Sequence, residues 1–384
     1  MDEASPTIIA VRPKLPALTT LRFLAALHVV LFHMRVEGLL PDGPWWYQNF
    51  AGIGYIGVNL FFVLSGFILV YTYADAPSNP RRFWQARFAR IYPAYALSLL
   101  VTARFFFFAV HHLDIPYQAW SKQHLTAACV LTLSLLQSWF PQAALTWNAV
   151  CWSLSVEAFF YLLFPWLLLW TKESTARKRF WAIVLWSSVS LAISVWYIVV
   201  HPDGIDKINS GETTLLWKNV LSFNPLLRLP EFLVGVFAGR LYLSAQNNRK
   251  LATPLVVSGV LVVVALVLLT DRIPRPLISA GFLSPAFAAI IYGLALRPRW
   301  AEVLEFRPSV VLGDASYSLY LLHSTAFEAS GWIPAYSWWV RPLVAFLAAV
   351  AVSLLSYHLV EEPCRKLLRP RPRSPQVRDK SKAW

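Results

Sequence analysis

Charge is scarce in this chain. Only 14% of its 384 residues are Asp, Glu, Lys or Arg, whereas a soluble domain carries about 25%. Sulfur is scarcer still, with three cysteines (Cys129, Cys151, Cys364) and two methionines. The cysteines have neither metal-ligand spacing nor the pattern of a disulfide framework, so no metal is expected. Signatures of common enzyme classes are missing as well. There is no G-x-S-x-G elbow, no HExxH, no P-loop and no GxGxxG after a strand. Serine hydrolysis, zinc chemistry, nucleotide hydrolysis and hydride transfer therefore have no support. Internal repeats and a second soluble domain are also absent. No small-residue cleavage site follows the first apolar run, which reads as an uncleaved span rather than a removed signal peptide.

What the chain does have is apolar surface. It is 57% hydrophobic, with 18 Trp and 15 Tyr, and its mean hydropathy is +0.51. Amphipathic rings favour membrane interfaces. Apolar runs near 20 residues recur, which is the length a bilayer core demands. The expected fold is an all-α polytopic integral membrane protein. The net charge of +14 sits between apolar runs and in the tail, as orientation signals do, and not in a nucleic-acid surface.

The apolar segments are 17–36, 52–74, 91–110, 126–139, 152–170, 180–200, 225–244, 252–270, 277–296, 310–330 and 337–360. Segment 126–139 is too short to span. Arg81, Arg82, Arg87 and Arg90 follow the second segment, and Lys172, Arg177, Lys178 and Arg179 follow the fifth. Both clusters should be cytoplasmic, which requires an even number of crossings between them. Ten spans result, with 126–139 a re-entrant or partial helix and both termini cytoplasmic. Residues 1–16 then form a cytoplasmic N-terminal segment, 17–363 the membrane domain, and 364–384 a basic, disordered cytoplasmic tail. Residues 201–224 become a polar outer loop.

This topology gives each ionisable residue a depth. In LRFLAALHVVLFHM (21–34), Arg22 lies near the cytoplasmic face and His33 eleven residues further on. Eleven residues rise about 16 Å and return within roughly 20° of the same face; His28 points elsewhere and reads as structural. In WSLSVEAFFYLLFP (152–165), Glu157 is expected level with His33. Arg228 and Glu231, three apart, are placed for a local ion pair. Ser316, Tyr320 and His323 of SYSLYLLH (316–323) make one polar stripe, and Asn59 of YIGVNLFFVLSGF (55–67) lies in the outer half of its span. Ionisable groups inside a membrane mark functional sites by default. The Gly and Ser of LSGF read as close helix packing.

A His with a carboxylate is common equipment for taking a proton from a hydroxyl. In FWQARFARIYPAY (83–95), Arg87 and Arg90 share a helical face, and arginine forks suit phosphates. With Arg22 they form an inner anion site beneath a deeper His, suited to a donor with a phosphate-bearing head and a long arm.

These segments, in order and through HLVEEPCRK (358–366), resemble the membrane acyltransferase-3 family of O-acyltransferases. The family's Arg, ten residues, His pattern matches Arg22 and His33. Its R-x-x-R matches Arg87 and Arg90, and its W-S-L-x-x-E matches Glu157. The resemblance implies an acetyl or similar group taken from cytoplasmic acyl-coenzyme A (acetyl-CoA in the usual case). The acceptor is a hydroxyl of a surface polysaccharide or its lipid-linked precursor, or a small molecule such as an antibiotic. The expected location is a bacterial inner membrane. The C-terminal esterase-like domain of some members is missing, which leaves a periplasmic partner or a homodimer open. The expected roles are His33 as base with Glu157 supporting its ring, and Arg22, Arg87 and Arg90 holding the donor. Asn59, Arg228, Glu231, Tyr320 and His323 are expected to contact the acceptor. Direct transfer and an acyl-His relay both remain open. A transporter or flippase is the rival class, and would move solute without consuming acyl-coenzyme A.

Overall fold

The computed structural model describes residues 12–75, 79–245, 248–330 and 339–370. Among these the regular elements are helices. They are α1 Pro16–Val36, α2 Trp45–Gly52, α3 Ile56–Tyr73, α4 Pro80–His112, α5 Ala119–Gln123, α6 Leu125–Leu133, α7 Trp152–Trp170, α8 Ala176–Val200, α9 Leu216–Phe223 and α10 Pro225–Ser244. These are followed by α11 Ala252–Leu269, α12 Arg275–Ser279, α13 Ser284–Ala295, α14 Arg307–Asp314, α15 Ser316–Ser330, α16 Val340–Ser356 and α17 Glu362–Leu368. Nine helical stretches among the described residues are long and apolar enough to cross a membrane. The chain is a polytopic all-α membrane protein.

Helix starts are written in the sequence. Pro16, Pro80 and Pro225 open α1, α4 and α10, where proline's missing N–H costs nothing. Asn79 accepts from the Arg82 amide and Thr175 from the Lys178 amide, capping α4 and α8.

Several expected segments are realised differently. The segment 310–330 is two helices, α14 and α15, joined at Ala315. The segment 277–296 is also broken, at Gly281, whose φ of +86° favours glycine. α6 has nine residues, about 14 Å at 1.5 Å each, and cannot span. The loop 201–224 contains α9, whose N-terminus is capped by Asp203: it accepts from the Trp217 and Lys218 amides at 3.1 and 2.7 Å. The last helix runs on to Leu368, past the expected boundary at 364, helped by the Glu362–Lys366 pair at 2.7 Å. The tail beyond residue 370 and most of GWIPAYSWW (331–339) lie outside the described residues.

α3 and α10 lie in backbone contact. A Cβ on Gly66 would sit 2.2 Å from the Phe232 carbonyl, and one on Gly235 would sit 1.9 Å from that of Val63. The reading of LSGF as a packing element therefore holds for Gly66, since small residues let membrane helices approach closely.

Basic residues gather at one end of the bundle. Arg179 donates to the carbonyls of Arg240 (3.0 Å) and Lys172 (3.3 Å). Arg240 reaches Leu168 O and, at 3.1 Å, Thr171 Oγ1. The two cations thus cover carbonyls left open where α7 and α10 end.

Candidate active site

A narrow cavity of about 120 Å³ runs between α1, α3, α4, α7 and α15. Arg22, Arg87, Arg90 and Glu157 line it together, and Tyr320 lies in its wall. Five of the expected site residues therefore come together although they lie on four helices.

Arg87 and Arg90 stand on one face of α4. Arg87 donates to the Tyr73 hydroxyl at 3.0 Å, and its guanidinium lies over the rings of Tyr73, Phe83 and Tyr161 at 5.5 to 5.8 Å. Its Nε is buried with no partner among the described residues. Arg22 lies in the electrostatic field of Arg90, Glu361, Asp314 and Glu157. Yet among the described residues no carboxylate comes within ion-pair distance of Arg22, Arg87 or Arg90. The slot is cationic and keeps spare donors.

Glu157 does not meet His33. It accepts from the Tyr161 hydroxyl and, at 3.5 Å, from Ser65 Oγ. The reason lies in where α7 starts. Asn148, just before it, donates to Leu321 O at 3.0 Å, and Ser153 and Tyr320 share a 2.7 Å hydroxyl bond. The first turn of α7 is therefore already level with the middle of α15. Glu157 lies a turn further down and His323 a turn further up, roughly 10 Å apart along the axis. The expectation of equal depth assumed that α7 begins at the membrane surface.

His33 has a different neighbour. Its ring lies 4.8 Å from that of His323, centroid to centroid. His33 Nδ1 is 2.9 Å from Val29 O, and His323 Nδ1 is 3.1 Å from Leu319 O. A carbonyl only accepts, so by this assignment both Nδ1 atoms carry the proton and both Nε2 atoms keep a lone pair. His323 Nε2 is buried without a partner among the described residues. His28, by contrast, binds Phe50 O at 2.7 Å and stacks on the Phe50 ring, which ties α1 to α2.

Asn59, Arg228 and Glu231 form a third group, fully buried and away from the slot. Arg228 donates to Glu231 Oε1 and Asn59 Oδ1, both at 2.9 Å, and to Ser279 O at 2.5 Å. The expected ion pair of Arg228 and Glu231 is present. These side chains are turned toward one another rather than toward a cavity.

Sequence reasoning missed Tyr161, Ser65, Tyr317 and Glu361. Tyr161 was findable, being four residues from Glu157 and so on the same face. Glu361 accepts from Ser318 at 3.0 Å, inside a π-helical turn at Tyr357–Glu361 that no spacing rule announces.

The family model described as "Acyltransferase domain" matches residues 15–358. Together with the fold, that match defines a membrane acyltransferase. The chain belongs to the acyltransferase-3 family. It is 28% identical to the acyltransferase MdmB of Streptomyces mycarofaciens over 376 residues, covering 92% of each. It is 25% identical to the O-acetyltransferase OatA of Staphylococcus aureus (strain NCTC 8325 / PS 47) over 379 residues. That match covers 92% of this chain but 57% of OatA, so the chain spans little more than half of that relative. No solved structure matches it.

Proposed function

We propose that the chain moves an acetyl or similar acyl group from acyl-coenzyme A to a hydroxyl. The acceptor is a cell-surface polysaccharide or its lipid-linked precursor. The reading is carried by one observation: three arginines with no carboxylate partner among the described residues line a slot whose wall includes Tyr320, one helical turn from the His33–His323 pair. Tyr320 donates to Val150 O at 2.8 Å and fixes that end of the slot.

The donor's phosphates meet Arg87, Arg90 and Arg22, whose forks match them. Its pantetheine arm follows the slot. His33 Nε2 takes the proton of the acceptor hydroxyl as that oxygen attacks the thioester carbon. The C–S bond breaks, and the coenzyme A thiolate leaves and takes up the proton. Glu157, bound to Tyr161 and Ser65, holds the arginine end open and limits its positive charge. His323, not Glu157, is the group that adjoins the base. The bundle sits in a bacterial inner membrane with its arginine-rich end and both termini cytoplasmic. The gathering of Arg179 and Arg240 at one end supports that orientation.

The test is coenzyme A release by the chain in nanodiscs, with mass spectrometry of glycans and small metabolites from cells with and without the gene. His33→Ala should lower transfer by about 10²–10⁴-fold at unchanged acyl-coenzyme A affinity; a folded variant with full transfer would remove His33 from the chemistry. A one-acyl mass difference on a metabolite instead of a glycan would move the acceptor to the small-molecule class. Solute flux without thioester consumption would favour a transporter.

A further inference from the structure

A second cavity, of about 470 Å³, opens at the end of α1 opposite the arginine slot. That volume lies within the roughly 300–1,000 Å³ of small-ligand sites. Phe32, Arg35, Gln48, Tyr55, Asn209 and Arg275 contribute to its walls. Its chemistry is mixed in a specific way, with two guanidinium groups, one carboxylate (Asp271), two aromatic rings and neutral amides.

The cations are the telling part. Arg35 donates to Gln48 Oε1 at 3.1 Å, and the Arg275 guanidinium lies over the Tyr55 ring at 5.6 Å. Among the described residues neither comes within ion-pair distance of a carboxylate. Asp271, an acid in the same wall, accepts from Asn49 at 3.1 Å. Lys218 lies within the field of Arg275, and within those of Glu212 and Asp203. Arg35 stands in the last turn of α1, where a helix dipole favours a cation. Arg275 is the first residue of α12, where the dipole gives no such reason. Half-buried like charges that pair with no carboxylate among the described residues repel one another, and an anion relieves that repulsion.

The remaining surface suits a sugar. Phe32 and Tyr55 pack edge to face with centroids 5.5 Å apart, presenting apolar ring surface between hydrogen-bonding amides. Phe32 also packs edge-on against His33, centroids 5.0 Å apart. A ligand in this cavity is one ring away from the proposed base, on the side away from the slot.

We propose that this cavity binds the acceptor, and that the acceptor is an anionic sugar. Its carboxylate or phosphate lies between Arg35 and Arg275, and its ring lies against Phe32 and Tyr55. The proposal rests on the acyltransferase reading above and adds the acceptor's charge and its place.

The experiment measures binding of glucuronate, glucose 1-phosphate, glucose and inorganic phosphate to the full chain in phosphatidylcholine nanodiscs. Acyl-coenzyme A affinity is measured on the same preparations. One or both anionic sugars should bind at least about tenfold more tightly than glucose, the scale of a charge-assisted hydrogen bond. Arg35→Gln and Arg275→Gln should each weaken that binding about tenfold, with acyl-coenzyme A affinity reporting that the variants remain folded. Equal binding of glucose, equal binding of inorganic phosphate alone, or unaltered binding in both variants overturns the proposal. So does loss of sugar binding in phosphatidylglycerol nanodiscs, which would make this a lipid-headgroup site. Sugar binding without acyl-coenzyme A binding would sink the donor assignment and leave this one standing. Acyl-coenzyme A binding without any sugar binding would do the reverse.

Discussion

Two arginine sites inside one bundle are built in opposite ways. Arg228 spends both terminal nitrogens on Asn59, Glu231 and the Ser279 carbonyl, and its guanidinium carbon lies 5.6 Å from the ring centroids of both Phe62 and Trp152. Arg22, Arg87 and Arg90 face a cavity, and no carboxylate among the described residues pairs with them. An intramembrane charge is costly in either place. At Arg228 the protein itself supplies the compensation, so the cation reads as architecture. In the slot the compensation is incomplete, which is the condition of a site waiting for an anion. Burial alone does not separate the two, nor does a spare Nε–H, which Arg87 and Arg228 both keep among the described residues; a paired carboxylate, present at Arg228, does.

The sharpest way to break the contrast is to remove the cation from the closed group. Arg228→Met leaves Glu231 buried without its partner. It should destabilise the fold by about 3–5 kcal/mol, measured as loss of folded protein in a detergent thermal-stability assay. Next comes the open group. Arg87→Ala with Arg90→Ala should weaken acyl-coenzyme A binding by roughly 10²-fold or more, at about 1.5–3 kcal/mol per charge-assisted contact, with little change in thermal stability. Unchanged affinity would make these arginines orientation charges only. The smallest effect should follow Asn59→Ala. Interhelical hydrogen bonds in membranes average about 0.6 kcal/mol and reach about 1.7. Asn59→Ala should therefore lower stability by about that much and leave donor affinity alone. A fall in donor affinity there would join the two sites that the geometry keeps apart.

Much of this was legible in the sequence. Composition and run length gave the all-α membrane bundle, and the three-residue spacing of Arg228 and Glu231 gave their ion pair. The convergence of Arg22, Arg87 and Arg90 was also readable, because residue depth follows from helix direction and rise; that Glu157 joins them was not, since it was expected at the level of His33. Depth failed where a helix does not start at the membrane surface. α7 begins beside Leu321, so Glu157 falls short of His33 and meets Tyr161 instead. Counting residues along one helix fixes relative depth on that helix alone. Absolute depth needs the contact that anchors its first turn, here Asn148 to a backbone carbonyl, and a single sequence does not announce that pairing. The closed character of the Asn59 group was likewise invisible, since it depends on Ser279, whose carbonyl is presented by a broken helix pair.

The glycine contact between α3 and α10 has a mechanical corollary. At Gly66 and Gly235 the two backbones touch with no side chain between them, so neither helix can tilt without carrying the other. Ser65 and Phe62 project into the slot from this paired body. The opposite side is α4, where Pro93 lies three residues beyond Arg90 and removes the amide that would hold the Ala89 carbonyl. The slot thus has one fixed jaw and one jointed one, and Arg87 and Arg90 ride on the jointed side.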